Sequence, residues 1–194
     1  MMYVRMTTLL LALFAFSPSA SAASITAYSD PVMGCFIKLS GTIAKGDTKA
    51  LLQALAQYSN KRLAASYEQR ENLPSVPRVC LDSPGGSFGE ALNVIDKAYG
   101  KFATAVARDA RCESACAILF MAGRAGDGGS LDSILGGRIL HPKGRLGFHA
   151  PDLVVPQGDY EAGTVNQAYR NAIASIAGLV EIKERIDFPD SLLT

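Results

Sequence analysis

The stretch "RVCLDSPGGSFGEALNVIDKAY", residues 78–99, decides the fold of this chain. Its first five residues are short and largely apolar, which predicts a buried β-strand. The following "SPGGS" (83–87) is rich in turn formers, and apolar side chains then recur at helical spacing over 88–99. A strand that leads through a tight turn into an amphipathic helix is the repeating unit of a parallel α/β sheet.

The same alternation continues on both sides of this unit. The order strand, helix, strand, helix, strand predicts an α/β fold with a mostly parallel sheet. The predicted strands are 35–43, 78–82, 104–108 and 145–150; the predicted helices are 48–67, 88–99, one from Cys112, and 159–186 with an interruption near Gly178.

The first 22 residues have the organisation of a secretory signal peptide. One early cation, Arg5, precedes an apolar run over 9–16, and small residues then form an A-x-A cleavage signal that ends at Ala22. The alternative is a membrane anchor, but the run is shorter than the ~20 apolar residues that span a bilayer. We predict cleavage after Ala22, no stable membrane anchor, and a single periplasmic or extracellular domain over 23–194.

Charge and composition argue against several partner classes. The chain has 19 basic and 18 acidic residues, and one cation lies in the leader, so the remainder is balanced. A balanced chain without a basic stripe does not favour nucleic acid or an anionic membrane surface. Two histidines and no C-x-x-C pair argue against a metal site. No nucleotide-binding motif is present, so we expect no cofactor.

Four cysteines in an exported chain predict two disulfides, for which three pairings exist. Cys112 and Cys116 are four residues apart; on one helical turn their Cα atoms would lie roughly 6 Å apart, within disulfide range. The alternative is that both thiols are simply buried. Cys35 and Cys80 lie on two predicted strands, which would allow a cross-strand bridge. A cysteine nucleophile is disfavoured because an oxidising compartment would consume the thiols.

Ser114 lies between two of these cysteines, where a helix is expected to begin. Free N–H groups and the helix dipole at that end would face a reacting group, so the N–H of Ala115 is a candidate oxyanion donor. A serine hydroxyl needs a base. We prefer His149 to His141 because it ends a predicted strand, although a lone histidine is more often structural.

The "SPGG" turn supplies the second candidate oxyanion donor. Glycine lets the backbone approach a ligand closely, so we assign Gly85 this role, with Gly86 supporting the turn. Taken alone, the stretch is more often an ordinary turn after a strand. Three motifs, however, follow predicted strands, and active groups of α/β sheets gather at the carboxyl ends of strands. These motifs are 83–87, 112–116 and 148–151.

Three stretches occur in an order known from one superfamily: "LDSPGGSFGEAL" (81–92), "CESACAILFMAG" (112–123) and "LGFHAP" (146–151). Together they resemble the Clp protease proteolytic subunit and its crotonase-like relatives, above all the exported bacterial Clp-like group. The resemblance implies repeated β-β-α units and a homo-oligomer. It also implies a serine hydrolase site with nucleophile Ser114, base His149, and oxyanion donors Gly85 and Ala115.

Two departures from that family matter. The glycine-rich segment 123–137 is longer than in the cytoplasmic protease, which suggests a lid or a substrate-facing insertion. The third catalytic residue of the family is an aspartate beyond the long helix; here Asp187 and Asp190 are the late candidates, and Asp152 is too near His149. Either Asp190 takes the role, or a Ser–His dyad suffices, or the chain is truncated. Loss of the orienting carboxylate costs ~10⁴-fold in serine proteases.

We therefore expect an exported serine peptidase that cleaves short or unfolded polypeptides. One alternative is a catalytically weak or inactive Clp-like binding or assembly module. Another is an acyl-thioester site, which an exported location disfavours because coenzyme A is not available there. The membrane signal peptide peptidases of the superfamily use a lysine base, whereas the motifs of this chain offer a histidine.

Overall fold

The computed structural model describes residues 22–125, 136–149 and 158–192. Nearly all of the predicted leader, most of the glycine-rich segment 123–137, and Asp152 lie outside this part. The strands are β1 (Ser24–Asp30), β2 (Cys35–Ser40), β3 (Arg78–Asp82), β4 (Ala103–Val106), β5 (Arg111–Glu113), β6 (Arg138–Leu140) and β7 (Arg145–Gly147). The helices are α1 (Asp47–Ala64), α2 (Tyr67–Glu71), α3 (Phe88–Ala98), α4 (Ala115–Met121) and α5 (Ala162–Ile182), followed by a 3₁₀ turn at Asp190–Leu192.

Five of these strands form one sheet in the order β1-β2-β3-β4-β6. β1 runs antiparallel to β2, and the other neighbours are parallel. β5 and β7 form a separate parallel pair. The prediction of an α/β fold with a mostly parallel sheet is confirmed.

Burial explains why the central strands are so apolar. A parallel strand covered on both faces carries a continuous apolar run, and all four side chains of β4, "ATAV", are buried. α3 turns one apolar face inward, with buried side chains at helical spacing, and it contacts both α1 and α4. The buried apolar side chains of that face are Ala91, Val94, Ile95 and Ala98.

All four cysteines are paired in two disulfides. Cys35 and Cys80 join the neighbouring strands β2 and β3, with their Cα atoms 5.7 Å apart. Cys112 and Cys116 join β5 to α4, with their Cα atoms 5.1 Å apart. The prediction of two disulfides agrees with this arrangement, and the geometry selects one of the three pairings.

Long-range pairing changes two predicted elements. The segment from Cys112 does not begin as a helix: it belongs to β5, which pairs with β7, and α4 starts only at Ala115. α5 continues through Gly178 without a break. An ideal Cβ on Gly178 would lie 2.6 Å from Leu92 Cδ1, so the glycine allows α5 to approach α3 closely.

A buried arginine attaches the segment after α5 to the core. Arg124 is 5% exposed and donates to the Asp187 carboxylate at 2.6 Å and to the Arg185 carbonyl at 2.5 Å. Its Nε donates to the Tyr99 hydroxyl at 3.0 Å, and Arg138 donates to the same Asp187 oxygen at 3.0 Å. Arg124, which follows α4, therefore joins the core to the segment after α5. No helix within the described ranges is long and apolar enough to cross a membrane.

Candidate functional site

Ser114 occupies a sharp turn between a strand and a helix. β5 ends at Glu113, α4 begins at Ala115, and Ser114 between them has φ 56° and ψ −124°. A residue other than glycine pays about 1–3 kcal/mol for such a conformation, which persists only where the surroundings enforce it. A strained turn from strand to helix is also what exposes the nucleophilic serine of α/β-hydrolases. Asp109 and Asp187 also have a positive φ, but aspartate adopts this region more readily than serine, so Ser114 is the outlier that calls for a functional explanation.

The "SPGG" turn packs directly against this serine. Gly85 has φ +94°, and an ideal Cβ there would lie 2.6 Å from the Glu113 carbonyl oxygen and 2.7 Å from Ser114 Cβ. The same Cβ would lie 3.2 Å from the backbone nitrogen of Ala115. Only glycine fits between these groups, since real Cβ atoms do not approach backbone so closely. Two of the three predicted motifs thus meet at Ser114.

Hydrogen bonds distinguish the two glycines of this turn. The N–H of Gly85 donates to Ser83 Oγ at 3.0 Å, so it can serve an oxyanion only by leaving that partner. The Gly85 carbonyl accepts from Ile43 N–H at 2.8 Å; because the peptide is trans, the Gly86 N–H points away from Ile43. Within the described residues, the N–H groups of Gly86 and Ala115 make no hydrogen bond.

Sequence reasoning had given Gly86 only a supporting role in the turn. The two consecutive glycines signalled unusual backbone geometry but could not show which N–H was already occupied. The buried Ser83 hydroxyl, which decides that point, belongs to the quoted motif and was not singled out.

His149 approaches Ser114 through the pairing of β5 with β7. Glu113 lies opposite Gly147 in register, and the N–H of Ser114 donates to the Gly147 carbonyl at 2.9 Å. His149 follows Gly147 by two residues, and its side chain is exposed. In the described part of the chain the Ser114 hydroxyl makes no hydrogen bond, so the two side chains are not joined in this conformation. Catalytic hydrogen bonds are often long before a substrate binds.

His141 lies elsewhere. It follows β6 in the main sheet, and its Nδ1 accepts a hydrogen bond from the N–H of Lys143 at 3.0 Å. Its own N–H donates to the Val106 carbonyl at 2.9 Å. This histidine therefore stabilises a local turn.

The late aspartates are engaged with cations. Asp190 is exposed, and Lys183 Nζ donates to it at 2.8 Å; this hydrogen bond raises the pKa of Lys183. Lys183 is the one ion-pair partner of Asp190 among the residues described. Asp187 accepts from Arg124 and Arg138. Both late aspartates therefore form ion pairs with basic residues.

No cluster of three or more His, Cys, Asp and Glu side chains that could hold a metal ion occurs in the part of the chain that the structure describes. Neither a protein-family model nor a curated protein matches the sequence.

Proposed function

We propose that this chain is an exported serine hydrolase with a Clp- or crotonase-like fold, and that it cleaves short or unfolded polypeptides. The observation that carries the proposal is the backbone of Ser114. A serine is kept in a conformation suited to glycine, at the point where the "SPGG" turn and the end of β7 converge. Residues strained in this way cluster at active sites.

The residues around Ser114 supply each part of an acyl-transfer reaction. The Ser114 oxygen attacks the peptide carbonyl while His149 accepts its proton, and His149 then gives that proton to the leaving amine. The N–H of Ala115 and one N–H of the Gly85–Gly86 pair stabilise the oxyanion. Water next attacks the acyl-enzyme, and His149 again transfers the proton. The hydrogen bond from Ser114 N–H to the Gly147 carbonyl keeps the segment that carries His149 beside the serine, and we propose that the His149 side chain turns to Ser114 when a substrate binds.

A Ser–His dyad is the minimal catalytic unit that we propose. Asp187 and Asp190 form ion pairs with Arg124 and Lys183, so we assign neither of them as the orienting carboxylate. Loss of that carboxylate lowers turnover by ~10⁴-fold in serine proteases. We therefore expect slow hydrolysis, and covalent labelling is a better test than turnover of a peptide substrate.

The disulfides support export. Paired cysteines persist in oxidising compartments, and a leader cleaved after Ala22 would deliver the chain to one. Such a compartment does not supply ATP to an unfolding partner. Substrates that are already short or unfolded fit this setting.

The exposed face of α5 supports self-association. In residues 162–180 the only charged side chain is Arg170, although nearly all of this helix is exposed. The resemblance to Clp-like proteins implies a homo-oligomer, which makes a second copy of the chain the expected partner of this face. We propose that a second copy of the chain covers this face. Its apolar stripe has half-exposed side chains three or four residues apart: Val165, Tyr169, Ile173, Ile176 and Val180.

A fluorophosphonate probe tests the proposed chemistry. The serine oxygen displaces fluoride from phosphorus, so the protein gains the phosphonyl group on Ser114. We expect labelling of the mature wild type, none of Ser114→Ala, and at least about a hundredfold slower labelling of His149→Ala, as for loss of a general base. His141→Ala is the matched control and should label at the wild-type rate. An unlabelled wild type would contradict the hydrolase proposal and favour a binding module.

A further inference from the structure

The Cys112–Cys116 disulfide encloses the candidate nucleophile. Cys112 lies in β5 and Cys116 lies in α4, so the bridge joins the strand before Ser114 to the helix after it. The closed ring consists of residues 112–116, and Ser114 is its middle member. No other covalent link in the described part of the chain lies so close to this turn.

Burial places the bridge beneath the serine. Cys112 and Cys116 are both 0% exposed, whereas the side chain of Ser114 is partly exposed. The sulfur atoms therefore belong to the core under the turn, and the hydroxyl lies above them. A substrate that reaches Ser114 does not meet the disulfide, which excludes the sulfurs from the bond-making steps.

The other restraints on the turn are noncovalent. Helix α4 has no side-chain cap, but it is buried from Ala115 to Phe120. The N–H of Ser114 donates to the Gly147 carbonyl, the Ser114 carbonyl accepts from the N–H groups of Ala117 and Ile118, and Gly85 packs against the Ser114 side chain. A left-handed backbone in a serine relaxes when its restraints are removed. The bridge is the restraint that cannot dissociate.

We propose that the Cys112–Cys116 disulfide holds Ser114 in its reactive backbone geometry, so that the site is competent only when this bridge is formed. The inference rests on the proposed hydrolase function and adds its regulation. The two cysteines are positioning residues, since they touch neither the substrate nor the reacting atoms.

The bridge couples competence to the redox state of the compartment. Formation of the bridge removes two electrons and two protons from the two thiols. The disulfide of an oxidised partner accepts them and becomes a dithiol. Reduction reverses this step. A chain kept reduced before export would therefore be silent, and it would become competent after oxidation. Thiol–disulfide exchange alone changes the state of the bridge, without hydrolysis of any substrate.

The second disulfide provides a matched control. Cys35 and Cys80 are also buried, at 2% exposure each, but they pack with Met33 and Ala105 in a cluster apart from the one that contains Cys112 and Cys116. Removing this bridge also deletes a buried disulfide, but one that lies away from Ser114. Its loss should lower stability without moving the serine.

The experiment compares Cys112→Ala/Cys116→Ala with Cys35→Ala/Cys80→Ala in the mature protein. Fluorophosphonate labelling yields kinact and KI separately, below the unfolding temperature of each variant. We expect kinact to fall about tenfold or more in the 112/116 variant, with KI nearly unchanged, since small misplacements of reacting groups cost this much. The 35/80 variant should keep the wild-type kinact. Equal kinact in all three proteins, or an equal loss in both variants, overturns the inference.

Two further readouts keep the test independent of folding and of activity. If the 112/116 variant does not fold, the wild type is titrated with a dithiol, and mass spectrometry measures the occupancy of each bridge; labelling should follow the 112–116 bridge. The φ angle of Ser114 from NMR couplings should leave the positive region when this bridge is absent. An unlabelled wild type overturns the hydrolase proposal, whereas an unchanged φ overturns the positioning role alone.

Discussion

Ser114 and Gly85 touch across the site, and each depends on the conformation of the other. The serine has a positive φ, and the glycine leaves no room for a side chain against it. A change at either position therefore affects both the stability of the turn and the direction of the hydroxyl. Substitution at Gly85 separates this effect from direct loss of the nucleophile.

Gly85→Ala should abolish labelling of Ser114 and destabilise the fold by about 2–4 kcal/mol. The new Cβ would lie 2.6 Å from the Glu113 carbonyl oxygen, in a residue with φ +94°. Gly89→Ala is the matched control, because nothing lies within 4 Å of its ideal Cβ. It should be neutral or stabilise α3 by up to about 1 kcal/mol. Urea denaturation measures both changes; a Gly85→Ala protein with wild-type stability and labelling would refute the packing argument.

At this scale the sequence indicates candidate residues for the site but not their hydrogen bonds. Ser114 and Ala115 could be selected because a small-residue motif followed an apolar strand. The engagement of the Gly85 N–H with Ser83 could not, because it depends on the folded shape of the turn. The pairing of Asp190 with Lys183 likewise arises from a 3₁₀ turn that has no clear local signal.

Glu90, a residue of α3, accepts hydrogen bonds from the N-terminus of helix α1. One carboxylate oxygen of Glu90 accepts from the N–H of Thr48 at 2.8 Å and from that of Gly46 at 3.1 Å. Burial of Glu90 acts to raise its pKa, but these hydrogen bonds outweigh that effect, and the net pKa is lowered from 4.5. Glu90 therefore stabilises the fold in its ionised form.

Glu90→Ala should lower the free energy of unfolding by about 2 kcal/mol at neutral pH, because two N–H donors lose their acceptor. A lowered pKa in the folded state means that this stabilisation is complete above pH 4.5 and is lost as the pH falls through the folded value. The difference between wild type and variant should therefore shrink in acid.

The exposed Glu71→Ala is the control for Glu90→Ala and should change stability little at any pH. Chemical denaturation at a series of pH values provides the measurement. A difference that stays constant down to pH 3 would contradict the role of the Glu90 charge.

Local signals explain which elements were predictable. β3, the turn after it and α3 were predicted almost to the residue, because apolar strand, glycine turn and amphipathic helix follow one another directly. β5 and β6 have three residues each and were missed, since they exist through pairing with β7 and β4. β1 was also missed: its exposed, mostly polar side chains lack the pattern of a buried strand.

For the whole molecule, the apolar stripe of α5 predicts the assembly state. Ile173→Glu/Ile176→Glu places two charges in the middle of the stripe, where each isoleucine is about half exposed. We expect the oligomer to dissociate at micromolar concentration, because a charge buried in an apolar interface is costly. Sedimentation velocity measures the change in mass.

Leu63→Glu is the control for the stripe, since Leu63 is a similarly exposed apolar residue on α1. This variant should sediment like the wild type. A wild type that is monomeric at all concentrations would refute the proposed pairing of α5.

The two disulfides should contribute differently to the stability of the molecule. The loop entropy closed by Cys35–Cys80, at a sequence separation of 45, corresponds to about 4 kcal/mol, and that closed by Cys112–Cys116, at a separation of 4, to about 2 kcal/mol. The 35/80 variant should thus unfold at the lower temperature, while the 112/116 variant should label about tenfold more slowly. Calorimetry ranks the two, and the reverse order would contradict the loop argument.

The layered plan of the molecule could be predicted from alternating strands and helices, and the five-stranded sheet agrees with it. The order of the strands could not, because only packing decides that β6 lies beside β4 while β5 leaves the sheet to join β7. Because β5 pairs with β7, Ser114 lies next to the segment that carries His149.

The backbone of Ser114 has a consequence for the natural history of this protein. Every residue except glycine pays a penalty there, so mutational drift should carry the position to glycine in any lineage that no longer uses the hydroxyl. Such a descendant would keep the scaffold and gain stability. Serine at this position in a descendant marks continued selection for the hydroxyl, and glycine marks its abandonment.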